Sequence, residues 1–190
     1  TFHHHYYILY DIINCYPKNY KVNYVEIGCY AGASACLMLQ RPNTNVISID
    51  LGYPISPNIV HSNIEKMNKL NNSFKYIKGN SQSVDTIKLL QQHVDEIDIL
   101  FIDGDHSYQG VINDFLLYEQ LVKTGGYIIF DDYNDWKYSP EVKLAVDSII
   151  PTLEGRYKII GTLPNKFKAR PDWLTEGNDF IIQKLGDDEK

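Results

Sequence analysis

Five short apolar runs alternate with segments of helical character, and that alternation constrains this chain more than any other feature. The runs are Tyr24-Val25-Glu26-Ile27, Val46-Ile47-Ser48-Ile49, Phe74-Lys75-Tyr76-Ile77, Ile97 to Ile102, and Gly126-Tyr127-Ile128-Ile129-Phe130. They are rich in β-branched and aromatic residues and bounded by turn signals, so they read as strands. The stretches 31–39, 59–70, 84–93 and 108–122 read as helices, and a further helix starts at Pro140 and runs to Ile150. In the fourth stretch Tyr108, Val111, Ile112, Phe115 and Leu116 fall at helical spacings. Residues 3–15 form a short helix ahead of the first strand. Strands joined through helices demand a mostly parallel sheet with helices on both faces.

The tail breaks the pattern. Tyr157-Lys158-Ile159-Ile160 and Phe180-Ile181-Ile182-Gln183 are two further strands with a polar connection and no helix between them. They are expected to pair antiparallel at the sheet edge. Residues 1–190 are read as one domain, with an N-terminal helix within 1–20 and a flexible tail at 186–190.

Composition narrows the partners. With 18 Lys+Arg against 24 Asp+Glu, the net charge is −6, which offers no general attraction to nucleic acid or anionic lipid. No apolar stretch is long enough to span a bilayer, and no secretory leader is visible, so no membrane partner is expected. Cys15, Cys29 and Cys36 form no CxxC pair, which suits a reduced, cytoplasmic setting. A small-molecule or glycan acceptor is the expected partner, and a homo-oligomer is left open. The run His3-His4-His5 carries little functional weight.

Two features carry chemistry. The first is Glu26-Ile27-Gly28-Cys29-Tyr30-Ala31-Gly32, a strand turning sharply into a helix. A dinucleotide fingerprint would place a second glycine where Tyr30 stands, so close approach of a pyrophosphate is hindered. The Gly28-x-x-x-Gly32 spacing suits a nucleoside ligand without phosphates, and Asp50, ending the second strand, can accept both hydroxyls of a ribose. The second feature is a pair of acidic clusters, Asp103-Gly104-Asp105-His106 and Asp131-Asp132, each directly after a strand. Ligands of open α/β folds bind at that edge, and carboxylates crowded there ask for a proton or a divalent cation.

On Val25 to Gly32, Ser48-Ile49-Asp50 and the antiparallel tail, the chain resembles the class I S-adenosylmethionine-dependent methyltransferases. That resemblance implies a Rossmann-like three-layer α/β sandwich with a seven-stranded sheet, mostly parallel, ending in an antiparallel strand. It also implies S-adenosyl-L-methionine as cofactor, bound by Glu26, Gly28, Gly32, Ser34, Asp50 and Ser81. Ser34 would meet its carboxylate, and Ser81, in Gly79-Asn80-Ser81, its adenine. The runs Phe101 to Tyr108 and Gly126 to Tyr133 look like a metal-dependent O-methyltransferase group. That group includes catechol O-methyltransferase and, closer in motif, the macrocin and mycinamicin sugar O-methyltransferases. Cephalosporin-hydroxylase-like proteins share the Asp-Gly-Asp-His-Ser-Tyr run.

By that resemblance Asp103, Asp131 and Asp132 are metal ligands. They are hard oxygen donors that favour Mg2+, with Mn2+ or Ca2+ as alternatives. His106 is the expected base, with Asp103 beside it in the catalytic set. Asp105 is expected to cap or support. Trp136 and Tyr133 are weaker candidates for the acceptor wall, with Tyr108, Tyr138 and Trp173 behind them. Methyl transfer to a sugar hydroxyl is the leading expectation. The alternatives are a catechol-type acceptor, a nicotinamide-dependent oxidoreductase and a non-catalytic binding domain.

Overall fold

Period-two alternation along the strands decides which residues meet which helices. In the computed structural model, which describes residues 5–164 and 176–186, the strands form one seven-stranded sheet of order β3-β2-β1-β4-β5-β7-β6. The strands are β1 (Val22–Ile27), β2 (Thr44–Asp50), β3 (Ser73–Lys78), β4 (Ile97–Ile102), β5 (Val122–Phe130), β6 (Tyr157–Pro164) and β7 (Glu176–Lys184). The helices are α1 (His5–Asn14), α2 (Ala33–Met38), α3 (Pro57–Met67), α4 (Val84–Gln91), α5 (Tyr108–Tyr118) and α6 (Pro140–Ile149). β1 to β5 pair in parallel, whereas β7 runs antiparallel to both β5 and β6.

Val25, Ile27, Leu100, Ile102, Ile128 and Phe130 point to one face, where Leu90, Phe115, Val146 and Ile149 of α4, α5 and α6 cover them. Tyr24, Val46, Ile99, Phe101 and Ile129 point to the other, under Leu9, Ile13, Met38 and Val60 of α1, α2 and α3. The result is the three-layer α/β/α sandwich expected from the order of elements. As expected, the two tail strands pair antiparallel at one edge of the sheet; β6 is outermost, and β7 lies between β5 and β6 with its apolar run Phe180 to Ile182 buried. One detail differs from expectation. β5 begins at Val122, ahead of the Gly125-Gly126 pair, and a register shift against β4 between Ile97 and Ile99 absorbs the irregularity. Of the tail read as flexible, residues 187–190 lie outside the described residues.

Candidate active site

One rung of the sheet sets the site. Ile27 pairs with Ile102, Ile102 with Phe130, and Phe130 with Phe180. One residue beyond that rung, in the parallel direction, stand Gly28, Asp103 and Asp131. Because β7 runs the opposite way, the residue beyond its Phe180 is the preceding one, Asp179. A cavity of about 530 Å³ opens over this edge. Gly28, Cys29, Tyr30, Asp50, Leu51 and Tyr53 form one side, Gly79 to Gln82 another, and Asp103 to His106 a third.

Gly28 joins two of these walls. Its φ is +85°, and a Cβ there would sit 1.9 Å from the carbonyl oxygen of Asp103. Only glycine permits that approach. Asp50 then ties down the turn. Its Oδ2 accepts from the backbone N–H groups of Cys29 (2.9 Å) and Tyr30 (3.1 Å), and its Oδ1 from Gly52 N–H (2.6 Å) and the Tyr76 hydroxyl (3.2 Å). Tyr30 holds a left-handed conformation at φ 46°, unusual outside glycine. The amides that would face a pyrophosphate in a dinucleotide site are therefore bonded to a carboxylate.

The 79–82 wall is braced by α5. Ser81 Oγ donates to Asp114 Oδ1 (2.7 Å), Tyr118 donates to the Ser81 carbonyl (2.7 Å), and Asn113 donates to Gln82 Oε1 (3.0 Å). Burial raises Asp114 from 3.8 to about 6, the Ser81 hydrogen bond opposing it and Asp105 adding to it. Gly104 leaves room for this acid, since a Cβ would meet Ile27 Cγ2 at 2.8 Å and Asp114 Oδ2 at 3.3 Å.

His106 is held from both nitrogens. Nδ1 lies 2.8 Å from Ser139 Oγ and 3.4 Å from Asp132 Oδ2, and Nε2 lies 3.1 Å from Asp103 Oδ1. The Ser139 hydroxyl gives its one proton to Asp132 Oδ2 (2.8 Å), so it accepts from a protonated Nδ1. Nε2 is then the nitrogen whose proton comes and goes. The Asp103 hydrogen bond raises the imidazole pKa, burial opposes it, and the charges of Asp103, Asp132 and Asp131 add to the rise. Asp132 sits at φ 58°, a conformation that costs free energy and is held by its surroundings. Burial first and Asp131 second raise its carboxyl, while Ser139 and His106 pull it down.

Asp131 and Asp132 do not line the cavity, although Asp132 meets the His106 ring that does. Asp179 stands with them. It is fully buried, and neither of its carboxylate oxygens meets a donor among the described residues. The Asp131 carboxyl is the charge that acts on it most strongly, so two acceptors oppose each other unless one carries a proton. Burial, then Asp131, pushes its pKa well up, and Asp103 and Asp132 add to it. Tyr6 of α1 also feels Asp103 and Asp131, and its phenol is raised chiefly by burial.

Other residues singled out in the sequence sit elsewhere. Glu26 is fully buried beneath α2, where its carboxylate accepts from Ser34 Oγ (2.6 Å), Ser48 Oγ (2.6 Å) and the Tyr24 hydroxyl (2.9 Å). Glu26 and Ser34 thus bind each other behind the turn and do not line the cavity. Burial raises Glu26 while those hydrogen bonds lower it. Gly32 opens α2 at φ 82° and is likewise outside the lining. Asp105 supports the start of α5, accepting from the N–H of Ser107 at 3.0 Å, and Ser107 is the residue that caps the helix. Tyr133 packs on Phe180 and is bonded to Asp147 and Lys143, away from the cavity. Trp136 is exposed in the loop between β5 and α6, and Trp173 lies outside the described residues.

Among the described residues no group of three His, Cys, Asp or Glu side chains is arranged to hold a metal ion. The His106 ring stands between Asp103 and Asp132. The donor chemistry still fits a hard divalent cation, because Asp103, Asp131 and Asp132 offer carboxylate oxygens and Asp179 adds a buried carboxylate with no donor. Among the described residues no helix is long and apolar enough to cross a membrane.

Comparison with known proteins gives the same picture of the fold. The sequence profile of the family described as methyltransferase domain matches residues 25–133. An uncharacterized protein of Acanthamoeba polyphaga mimivirus is 40% identical, over 87% of this chain and 78% of that protein. The solved O-methyltransferase from Bacillus cereus, in complex with SAH, superposes with a TM-score of 0.65 at 18% identity, covering 95% of this chain and 78% of that one. The O-methyltransferase NovP gives 0.68 at 17% identity, covering 96% and 80%. TomG from Streptomyces achromogenes, an O-methyltransferase in complex with SAM, gives 0.66 at 14% identity, covering 95% and 79%. At these identities the solved structures speak for the fold alone.

Proposed function

This chain belongs to the methyltransferase-domain family, and on that premise we propose that it is an S-adenosylmethionine-dependent O-methyltransferase. The acceptor is a hydroxyl of a sugar, glycan or glycosylated metabolite, and the reaction uses a divalent cation, Mg2+ ahead of Mn2+ or Ca2+. One observation carries the reading: a single cavity is lined by Gly28, Asp50 and Ser81 on the turn side and by Asp103 and His106 on the acidic side. Oxygen as the acceptor atom is proposed by analogy with the O-methyltransferases NovP and that of Bacillus cereus, whose fold is similar.

S-adenosylmethionine supplies a methyl group on a sulfonium, an electrophile that needs an oxygen nucleophile in line with it. The Gly28 turn lets the backbone approach the cofactor closely. With the Cys29 and Tyr30 amides bonded to Asp50, the turn suits a nucleoside without a pyrophosphate. Ribose hydroxyls would share the Asp50 carboxylate with Tyr76 and Gly52.

His106 is the base. Ser139 fixes its Nδ1 proton, so Nε2, beside Asp103, is left to take the proton of the acceptor hydroxyl. Asp103, Asp131 and Asp132 would hold the cation. When bound, the cation stabilises negative charge on the acceptor oxygen as its proton leaves. Asp103 thus serves both the ion and the base. Exposed Trp136 and Tyr138, in the loop after Asp132, offer aromatic faces for a sugar ring.

The test is transfer of labelled methyl from S-adenosylmethionine to a panel of glycosides, nucleotide sugars and aryl diols, before and after chelation. Methylation of sugar hydroxyls that stops on chelation and returns with Mg2+ is expected. Activity on aryl diols alone would move the acceptor to the catechol class, and activity indifferent to chelation would remove the cation.

A further inference from the structure

Asp179 is absent from any motif, yet the sheet delivers it to the acidic cluster. Phe130 and Phe180 are paired across β5 and β7, and the antiparallel direction sets Asp179 opposite Asp131 at the edge where Asp103 and Gly28 also stand. The residue is fully buried, and neither oxygen has a donor among the described residues.

Buried carboxylates are normally supplied with donors, as Glu26 is by Tyr24, Ser34 and Ser48 in this same protein. Lining the rung with a fourth acid makes sense for a ligand that brings positive charge. A neutral role would be served as well by asparagine, which has a donor to offer Asp131.

Resting on the metal-dependent reading above, we propose that Asp179 is the fourth carboxylate of the cation site and sets its affinity. Oxygen-rich sites tune affinity through the number of charged donors. Removing a group that supports metal ligands typically costs about 10–100-fold in affinity.

The test is calorimetric titration of Mn2+ into the full chain at fixed pH and salt, with no activity measured. Wild type, Asp179→Asn and Asp103→Asn are compared, and thermal unfolding without metal reports whether each is folded. Wild type is expected to bind, Asp103→Asn to lose binding, and Asp179→Asn to bind about 10-fold or more weakly. Should Asp179→Asn fail to fold, Asp179→Ser carries the same comparison. Mn2+ binding by the Asp179 variant within twofold of wild type overturns this proposal and leaves the metal-dependent reading standing. Failure of wild type to bind Mn2+ overturns that reading, and the proposal with it.

Discussion

The two sides of the cavity treat their carboxylates in opposite ways. On the turn side, Asp50 receives two amides at one oxygen and an amide and a phenol at the other. On the acidic side, Asp131 and Asp179 face each other, and Asp103 and Asp132 share one histidine. The first side is assembled, its carboxylate supplied with donors, before any ligand arrives. The second concentrates negative charge that a ligand, a proton or a cation must balance. The contrast suggests a division of labour in which the turn side recognises and the acidic side reacts.

The comparison breaks most visibly at His106. His106→Ala should lower methyl transfer by about 10²–10⁴-fold while leaving S-adenosylhomocysteine binding close to wild type. Rate and affinity falling together would mean that the two sides are not separable. Next comes Gly28→Ala, which strains a positive φ and drives a methyl group into the Asp103 carbonyl. It should cost roughly 3 kcal/mol in denaturant unfolding and damage both sides at once.

Asp114 tests the bracing of the 79–82 wall through pH. Its folded pKa, about 6, lies above the ordinary 3.8, so the unfolded chain releases this proton first as pH rises. The stability it contributes is present below pH 4 and is lost as pH rises through 6, by roughly 3 kcal/mol at most. Unfolding curves across that window should show the decline in wild type and a flatter profile in Asp114→Asn. The smallest effect is expected at Trp136, whose ring is exposed. Trp136→Ala should change stability by less than about 0.5 kcal/mol and act on the acceptor KM alone.

Much of the fold was legible because short apolar runs, glycine turns and helical spacings all agreed on one order of elements. The order of β6 and β7 at that edge was not, since the burial of β7 depends on β6 arriving outside it. Within the site, Gly28, Asp50, Asp103 and His106 were legible as residues at or shortly after strand ends. Glu26 was legible only in part: it shares a strand face with Tyr24, and that alternation points it beneath α2. Ser139 carries no motif, and its link to His106 arises only when the loop after Asp132 folds back. Asp179 precedes an apolar run instead of following one. Only the antiparallel direction turns it toward the site, a signal available once the tail is read as antiparallel.

The most direct test is calorimetric titration of S-adenosylhomocysteine, with NAD in parallel, into wild type and Asp50→Ala. One-site binding of S-adenosylhomocysteine, no binding of NAD, and a loss of about 10-fold or more in the variant are predicted. Binding of NAD in place of S-adenosylhomocysteine, or of neither, would contradict the assignment of the cavity.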